Sequence, residues 1–483
     1  MTERERDETG TPPVPPSGPA PDLPGARPAP EDDGQVEELD AERIDTVLEA
    51  VDAGDAEAVA AALDPLHPAD ISDLLEQISS QERKALLSLY PEGIDGDVLS
   101  ELDEGLREEI IESMPREALA EAVRELDTDD VVDILEDLED HDQAFILESL
   151  EKDDRAAVES SLAWPENSAG RLMQSETVTV PQDWTVGQTI DHLRSADWLP
   201  DQFYHVILVD ERHRPTGYAT LGRVLAAKRD VALTRILEDS FMTVEATEDE
   251  AEVAYMFNKY HLISTPVIDG SGRLVGVITI DDAMYVLDEE HEEDMLRMAG
   301  VGDESSLTDG VWETVRQRFP WLAVNLVTAN IAAAVIGLFE GTIAVLVALA
   351  ALMPIVASMG GNAGTQSLTV AVRALATRDL TDANAARVVR RELLVGLING
   401  LGFALVMGGV AWALYGRDPW LGAVIGAALV INLVIAALAG VLVPLVLNRL
   451  KLDPALASGT FVTTVTDVVG FFAFLGLATL VLL

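Results

Sequence analysis

The chain has 483 residues, 48% of them hydrophobic, yet it carries 84 acidic against 32 basic side chains and a formal charge of -52. The charge is confined to one part: residues 320–483 hold 7 acidic and 8 basic side chains, leaving 77 acidic and 24 basic for residues 1–319. An acidic portion joined to an apolar one excludes a single soluble fold, and such a negative surface repels phosphate, which argues against nucleic acid and makes cations the natural ligands.

The absence of cysteine removes disulfides, thiolate metal sites and a cysteine nucleophile, as suits a cytosol-facing protein, and leaves oxygen as the metal-binding chemistry. Residues 1–36 are rich in proline, glycine and charge and lack an apolar secretory core, so a disordered cytosolic tail is expected. Residues 37–170 change to short amphipathic segments at helical period, such as DISDLLEQI, LREEIIESM and DVVDILEDL. Ala69–Glu76 and Asp129–Glu136 are alike, which predicts an all-α superhelical N domain of stacked hairpins.

Further along, strands are expected, and a self-similarity appears at an offset of 59 residues. His205-Val206-Ile207-Leu208-Val209-Asp210 falls on Ser264-Thr265-Pro266-Val267-Ile268-Asp269, and Gly217-Tyr218-Ala219-Thr220 on Gly276-Val277-Ile278-Thr279. Two tandem β-α-β-β-α modules, 171–235 and 236–288, therefore resemble an α/β pair of CBS domains, which usually sense ligands. In the second, Thr279 and Asp282 fit a pattern that hydrogen-bonds a ribose, which admits ATP. The first copy has Arg223 in that place, leaving half a site. Residues 289–318 read as an acidic connecting helix and linker.

Residues 319–483 contain five apolar stretches, about 320–339, 343–371, 393–415, 420–447 and 456–483, each matching the ~20 residues a bilayer needs. A five-helix transmembrane domain is expected. Arg373, Arg378, Arg387, Arg390 and Arg391 fall between stretches two and three, and Arg449 and Lys451 between four and five; the opposite loops hold Glu340, Arg417 and Asp418. The bias of basic residues puts the amino terminus and the CBS pair in the cytosol and the carboxy terminus outside.

Only one ionisable residue lies well inside an apolar stretch, Asp467. A carboxylate at that depth costs at least ~2.5 kcal/mol on insertion scales and persists where it faces a cavity, a partner or an ion. The bland alternative is a protonated Asp hydrogen-bonded to a neighbouring helix. The second candidate is Pro354–Ser367, with Gly360, Gly361 and Asn362, where weak helix and polar backbone bordering a pathway are expected. Close small-residue helix packing explains the same composition equally well. Neutral oxygen donors beside one carboxylate suit a hydrated divalent cation such as Mg2+.

On these residues the chain resembles the MgtE-type magnesium channels or transporters over about 37–483. The domain order matches, as do the connector Trp164–Met173, the segment Pro354–Gln366, the loop Arg373–Leu380, and Leu452-Asp453-Pro454-Ala455 running on to Thr466-Asp467-Val468-Val469-Gly470. The resemblance implies Mg2+ uptake across the cytoplasmic membrane of a prokaryote by a homodimer. Its ion path would follow the two-fold axis, with Asp467 binding hydrated Mg2+ and Gly360, Gly361, Asn362, Thr463, Thr464 and Gly470 lining the pore. It also implies that cytosolic Mg2+ closes the pore by bridging acidic faces at Asp249, Asp282, Glu290, Glu293 and Asp294, with Asp127, Asp129 and Asp130 as N-domain candidates. Like charges repel when such faces pack, so a divalent ion would select the closed assembly. His261 and Tyr285 stand where carboxylates are expected.

Co2+, Mn2+ and Ni2+ share the oxygen chemistry of Mg2+, and membrane lipid is the remaining partner. A competing reading is a membrane sensor of Mg2+ or nucleotide, built on the CBS pair and conducting no ion; Asp467 argues against it. No Walker loop, Ser-His-Asp order or HExxH occurs, and the clustered carboxylates and cationic clamp of a lipid-phosphate transferase are missing, so an enzyme is not expected.

Overall fold

A computed structural model describes residues 39–483, apart from 125, 137, 139, 197, 201, 303, 304, 306–309, 416–418 and 458. The tail expected over 1–36 and the loop residues Arg417 and Asp418 lie outside the described residues.

Ten helices follow one another first: α1 (Ala41–Ala53), α2 (Ala56–Leu63), α3 (Pro68–Gln77), α4 (Ser80–Leu89), α5 (Gly96–Ser100), α6 (Glu104–Ser113), α7 (Arg116–Arg124), α8 (Thr128–Glu136), α9 (Asp140–Ser149) and α10 (Lys152–Ser161). Their starts are set by side-chain oxygens that take up free amide N–H groups, as where Asp40 accepts from the Arg43 amide at 2.8 Å and Ser79 and Glu82 form a capping box. The suspected repeat has a physical counterpart. Arg83 donates to the carbonyls of Leu75 and Ile78 at 3.0 and 2.6 Å, and sixty positions on Gln143 donates to those of Leu135 and Leu138 at 2.8 and 2.9 Å. Between them the buried Arg107 donates to the Leu102 carbonyl at 3.0 Å and pairs with Asp133 at 2.7 Å. Each turn thus has its open carbonyls satisfied by a side chain of the next helix, while Leu74, Leu75, Leu86, Leu99, Ile110 and Ile134 fill a continuous core.

After the short α11 (Ala169–Leu172) come two equivalent modules. The first comprises β1 (Thr179–Pro181), α12 (Val186–Ser195), β2 (His205–Val209), β3 (Pro215–Thr220) and α13 (Leu221–Ala226). The second comprises β4 (Val244–Glu245), α14 (Glu250–Tyr260), β5 (Ser264–Ile268), β6 (Leu274–Thr279) and α15 (Ile280–Ala299). Each sheet has the order parallel pair, then antiparallel hairpin, and the registers coincide: His205 faces Thr220 and Ser264 faces Thr279. Both hairpins shift register at the same place, Leu208/Val209 and Val267/Ile268. The modules join where the His205 ring meets the Ser264 hydroxyl. α15 continues unbroken across residue 288, so residues 289–299, expected to begin a separate acidic connecting helix, extend the last helix of the second module.

The apolar portion holds α16 (Val311–Gly337), the short α17 (Glu340–Val345), α18 (Ala348–Ala376), α19 (Ala385–Leu414), α20 (Pro419–Arg449) and α21 (Gly459–Leu482). Among the described residues four helices, α16, α19, α20 and α21, are long and apolar enough to cross a membrane. α18 is 29 residues long but outside that set, because its glycine, amide and hydroxyl groups lower its apolarity. α20 is the hub, buried among α18, α19 and α21.

Two expectations are corrected here. The segment Pro354–Ser367 is not weak helix: α18 runs through Pro354 and its glycines without a break. One proline removes a single backbone hydrogen bond, and the glycines are used for close approach to neighbouring helices, which keeps the helix intact. Arg387, Arg390 and Arg391 are also not in a loop but in the opening turns of α19.

Candidate functional site

In the membrane portion the site is built where α18 packs along α21. A Cβ on Gly361 would lie 3.3 Å from Thr463 Cγ2 and one on Gly364 only 2.5 Å from Val462 Cγ1, so only glycine lets the two helices approach this closely. That approach sets Thr463 against α18, whose exposed polar positions are Ser358, Asn362, Thr365 and Thr369; Thr464 follows it in α21 and Asp467 lies one helical turn further on. The spacing of the α18 positions, four, three and four residues, places them on one side of the helix. Thr463 and Thr464 donate to the Thr460 carbonyl at 3.1 and 2.6 Å, and Thr365 and Thr369 donate back along α18 at 3.0 Å each. With their protons spent inside the helix, these hydroxyls offer lone pairs outward, as the water shell of a cation requires. Among the described residues Asp467 makes no hydrogen bond and no ion pair, so the alternative of an interhelical hydrogen bond finds no partner within this chain.

Three of the expected lining residues lie within this packing. Gly360, Gly361 and Gly470 are buried, and a Cβ on Gly360 or Gly470 would lie 2.2 or 2.7 Å from the Asn432 side-chain nitrogen. Asn432, fully buried in α20, donates to the Val356 carbonyl at 2.8 Å. Gly360 and Gly470 therefore make room for the Asn432 amide, which meets α18 on the side away from Ser358 and Asn362. Sequence reasoning named the glycines because composition marks a close approach without telling its direction.

In the acidic portion the structure brings Asp129 and Asp130, at the start of α8, against Asp282, at the start of α15. Burial pushes the Asp129 carboxyl well up, with Asp282 adding to the effect. Burial and then the neighbouring Asp282 and Asp127 push Asp130 up to about 7. Asp282 is likewise pushed up to about 7, chiefly by burial and against the pull of its hydrogen bond from Thr279. The Thr279 hydroxyl donates to Asp282 at 2.7 Å, so the two groups of the ribose half-site are already tied to each other.

A second acidic seam lies along α15. Glu250 is pushed up to about 7 by burial and by Glu289, Glu136, Asp249 and Glu290. Glu290 and Asp294 are raised by burial, the first also by Glu293 and the second by Asp453 in the loop before α21. Glu293 pairs with Arg297 at 3.0 Å, and Arg297 reaches Asp453 at 3.1 Å. Asp249 caps α14 through the Glu252 amide at 3.4 Å. Among the described residues no three acids converge closely enough to hold an ion as they stand.

Sequence reasoning missed Glu250, Glu136, Glu289 and Asp453. Only Asp453 carried a signal, its place in the Leu452–Ala455 motif. His261 ends α14 in the left-handed region at φ 55°, as its C-cap residue. The Tyr285 phenol is half-exposed as a residue, yet its titration is pushed up to about 12, chiefly by burial.

Known proteins share these parts. The family described as a divalent cation transporter, MgtE, matches residues 353–477, the MgtE intracellular N domain matches 66–167, and the CBS domain matches 169–230 and 233–289. The magnesium transporter MgtE of Thermus thermophilus is 35% identical over 320 residues, covering 66% of this chain and 70% of the relative. That of Enterococcus faecalis is 31% identical over 319 residues, covering 66% and 70%, and that of Bacillus subtilis is 28% identical over 316, covering 65% and 70%. Among solved structures, the cytosolic domain of the Mg2+ channel MgtE in complex with ATP is 30% identical with a TM-score of 0.47, covering 50% of this chain and 99% of that one.

Proposed function

The chain belongs to the MgtE family of magnesium transporters, and on that premise we propose that it is a channel mediating Mg2+ uptake across the cytoplasmic membrane of a prokaryote. Two copies would stand side by side. Each would cross the bilayer five times, with α18 as the second crossing, the CBS pair in the cytosol and the carboxy terminus outside. The observation that carries this reading is the unpaired Asp467 of α21, the helix that packs along α18 and its exposed polar positions Ser358, Asn362, Thr365 and Thr369. A bare carboxylate and a polar helix face are costly against lipid, and a second copy facing them across a water-filled path removes that cost.

Asp467 would hold the ion through its water shell, with Asn362, Thr463 and Thr464 as further oxygen ligands to those waters. Mg2+ dehydrates reluctantly, and a single carboxylate with neutral oxygens binds it weakly enough for release. The membrane potential drives entry: ~2.3 kcal/mol per charge per 100 mV, doubled for a dication. Co2+, Mn2+ and Ni2+ could use the same oxygens.

Cytosolic Mg2+ would close the channel. Asp129, Asp130 and Asp282 on one seam, and Asp249, Glu290, Glu293 and Asp294 on the other, are packed against like charges, and a divalent ion relieves that repulsion. Because α15 links both seams to the loop before α21, ions that tighten the seams bear on the helix that carries Asp467. ATP at the CBS pair would have to displace the Thr279–Asp282 contact. The reading is tested by divalent flux into liposomes containing the purified chain, with cytosolic-face Mg2+ stepped from micromolar to millimolar. Entry that is choked at the high step supports it; no divalent movement under any condition turns the protein into a non-conducting sensor.

A further inference from the structure

Between the cytosolic end of α18 and the opening turns of α19 lies a cavity of about 400 Å3, closed behind by Val441 of α20. Its polar lining includes two guanidinium groups, Arg387 and Arg391, and two carboxylates, Asp379 and Glu392. These opposite charges do not pair. Glu392 accepts from the Ser367 hydroxyl at 3.1 Å and Asp379 from that of Thr377 at 3.1 Å, and among the described residues neither arginine makes an ion pair. Nearby arginines have found acids: Arg449 holds Asp382 at 2.7 Å and Arg378 holds Glu252. Two cations and two anions left apart in one cavity match a ligand that itself carries both signs.

The rest of the ligand is written along α19. Arg387, Arg391, Leu394, Ile398 and Leu401 recur at spacings of four, three, four and three, which puts them on one side of the helix, and all five are exposed. An arginine pair at the membrane's inner boundary above a stripe of aliphatic side chains is the arrangement of a headgroup over an acyl chain. The cavity wall itself is aliphatic, through Val370 and Val388.

We propose that this cavity seats the headgroup of a zwitterionic aminophospholipid of the phosphatidylethanolamine class. Its phosphate lies on Arg387 and Arg391, its ammonium donates to Asp379 and Glu392, and an acyl chain follows Leu394, Ile398 and Leu401. The lining discriminates among phosphates. A purely anionic headgroup leaves both carboxylates repelled, a choline headgroup has no N–H to donate, and inorganic phosphate has no chain for the stripe. The proposal rests on α18 and α19 lying in a membrane and not on ion conduction, so a protein that conducts Mg2+ without this lipid preference overturns it alone.

The test uses the full chain, stripped of lipid in detergent and titrated separately with phosphatidylethanolamine, phosphatidylglycerol, phosphatidylcholine and inorganic phosphate, with bound lipid read by mass spectrometry of the intact protein. Phosphatidylethanolamine is expected to bind at least tenfold more tightly than the other three. Arg387→Gln with Arg391→Gln should abolish that binding. Asp379→Asn with Glu392→Gln should keep a phospholipid but reverse the preference toward phosphatidylglycerol, a readout that a merely misfolded variant does not give. Equal or tighter binding of phosphatidylglycerol by the unaltered chain overturns the proposal, as does competition by inorganic phosphate or an unchanged affinity in the arginine variant.

Discussion

Arg378, in the loop after α18, lies with its guanidinium carbon 4.2 Å from the centre of the Tyr255 ring and pairs with Glu252, both on α14 of the second CBS module. A loop of the apolar portion is thereby fastened to the second CBS module at a point away from α15. The backbone of Arg378 is held in the left-handed region, at φ 57°, so the loop presents this side chain in one fixed direction.

Cutting that fastening should change how the cytosolic portion controls the membrane portion. A cation over an aromatic ring and an exposed ion pair each contribute on the order of 0.5–1 kcal/mol. Arg378→Gln is therefore expected to raise the cytosolic Mg2+ needed for half-closure by up to about tenfold, since ~1.4 kcal/mol is a factor of ten. Glu252→Gln, which leaves the ring contact, should give a smaller shift. Flux into liposomes at graded internal-face Mg2+ measures both, and an unchanged closing concentration in Arg378→Gln removes this contact from the control path.

Asp467→Asn should reduce Mg2+ flux and its preference over monovalent ions while leaving thermal stability in detergent equal or higher. The substitution takes an unpaired carboxylate out of an apolar stretch and breaks no contact among the described residues. A large loss of stability would show instead that Asp467 is a structural group.

Glycine substitutions should separate packing from lining. Gly440→Ala would put a Cβ 2.6 Å from the Gly364 carbonyl oxygen and 2.8 Å from the Leu368 nitrogen, both backbone atoms that cannot swing away. It should destabilise the helices by about 1–3 kcal/mol or more, as overpacking does. Gly360→Ala meets the Asn432 amide at 2.2 Å and should be rescued in part by Asn432→Ala, which supplies the missing space. Ser358→Ala, on the exposed face, should leave stability unchanged and alter flux. Thermal unfolding of the purified chain, with flux alongside, distinguishes the three.

The seam between α8 and α15 should respond to pH in a definite direction. Asp130 and Asp282 titrate at about 7 in the folded protein against an ordinary 3.8, so between those values the folded seam holds protons that the separated chains do not. The stabilisation is therefore present below about pH 4, declines as pH rises toward 7, and is gone above it unless a divalent ion replaces the protons. Without Mg2+, the protection of α8 against hydrogen exchange, corrected for the intrinsic base-catalysed rate at each pH, should be lower at pH 8 than at pH 6. Adding Mg2+ should raise it at pH 8 much more than at pH 6, where protons compete. Corrected protection that is independent of pH in the absence of Mg2+ would contradict this.

Much of the architecture was legible locally. The charge partition at Pro320, the helical period of residues 39–161 and the offset of 59 that relates His205 to Ser264 are properties of composition and spacing, which survive without knowledge of any contact. Asp467 could be singled out for the same reason, since the cost of a carboxylate in an apolar stretch depends on its immediate neighbours in sequence.

The direction in which each group points was decided by tertiary packing. Gly360 and Gly470 back onto Asn432, α18 stays helical because its glycines are filled by neighbouring helices, and Asp130 meets Asp282 from a segment about 150 positions away. These outcomes follow from which side of one helix is covered by another. Periodicity determines that a helix has faces, but only the packing of distant segments determines which face is buried, which is left to water and which acids are forced together.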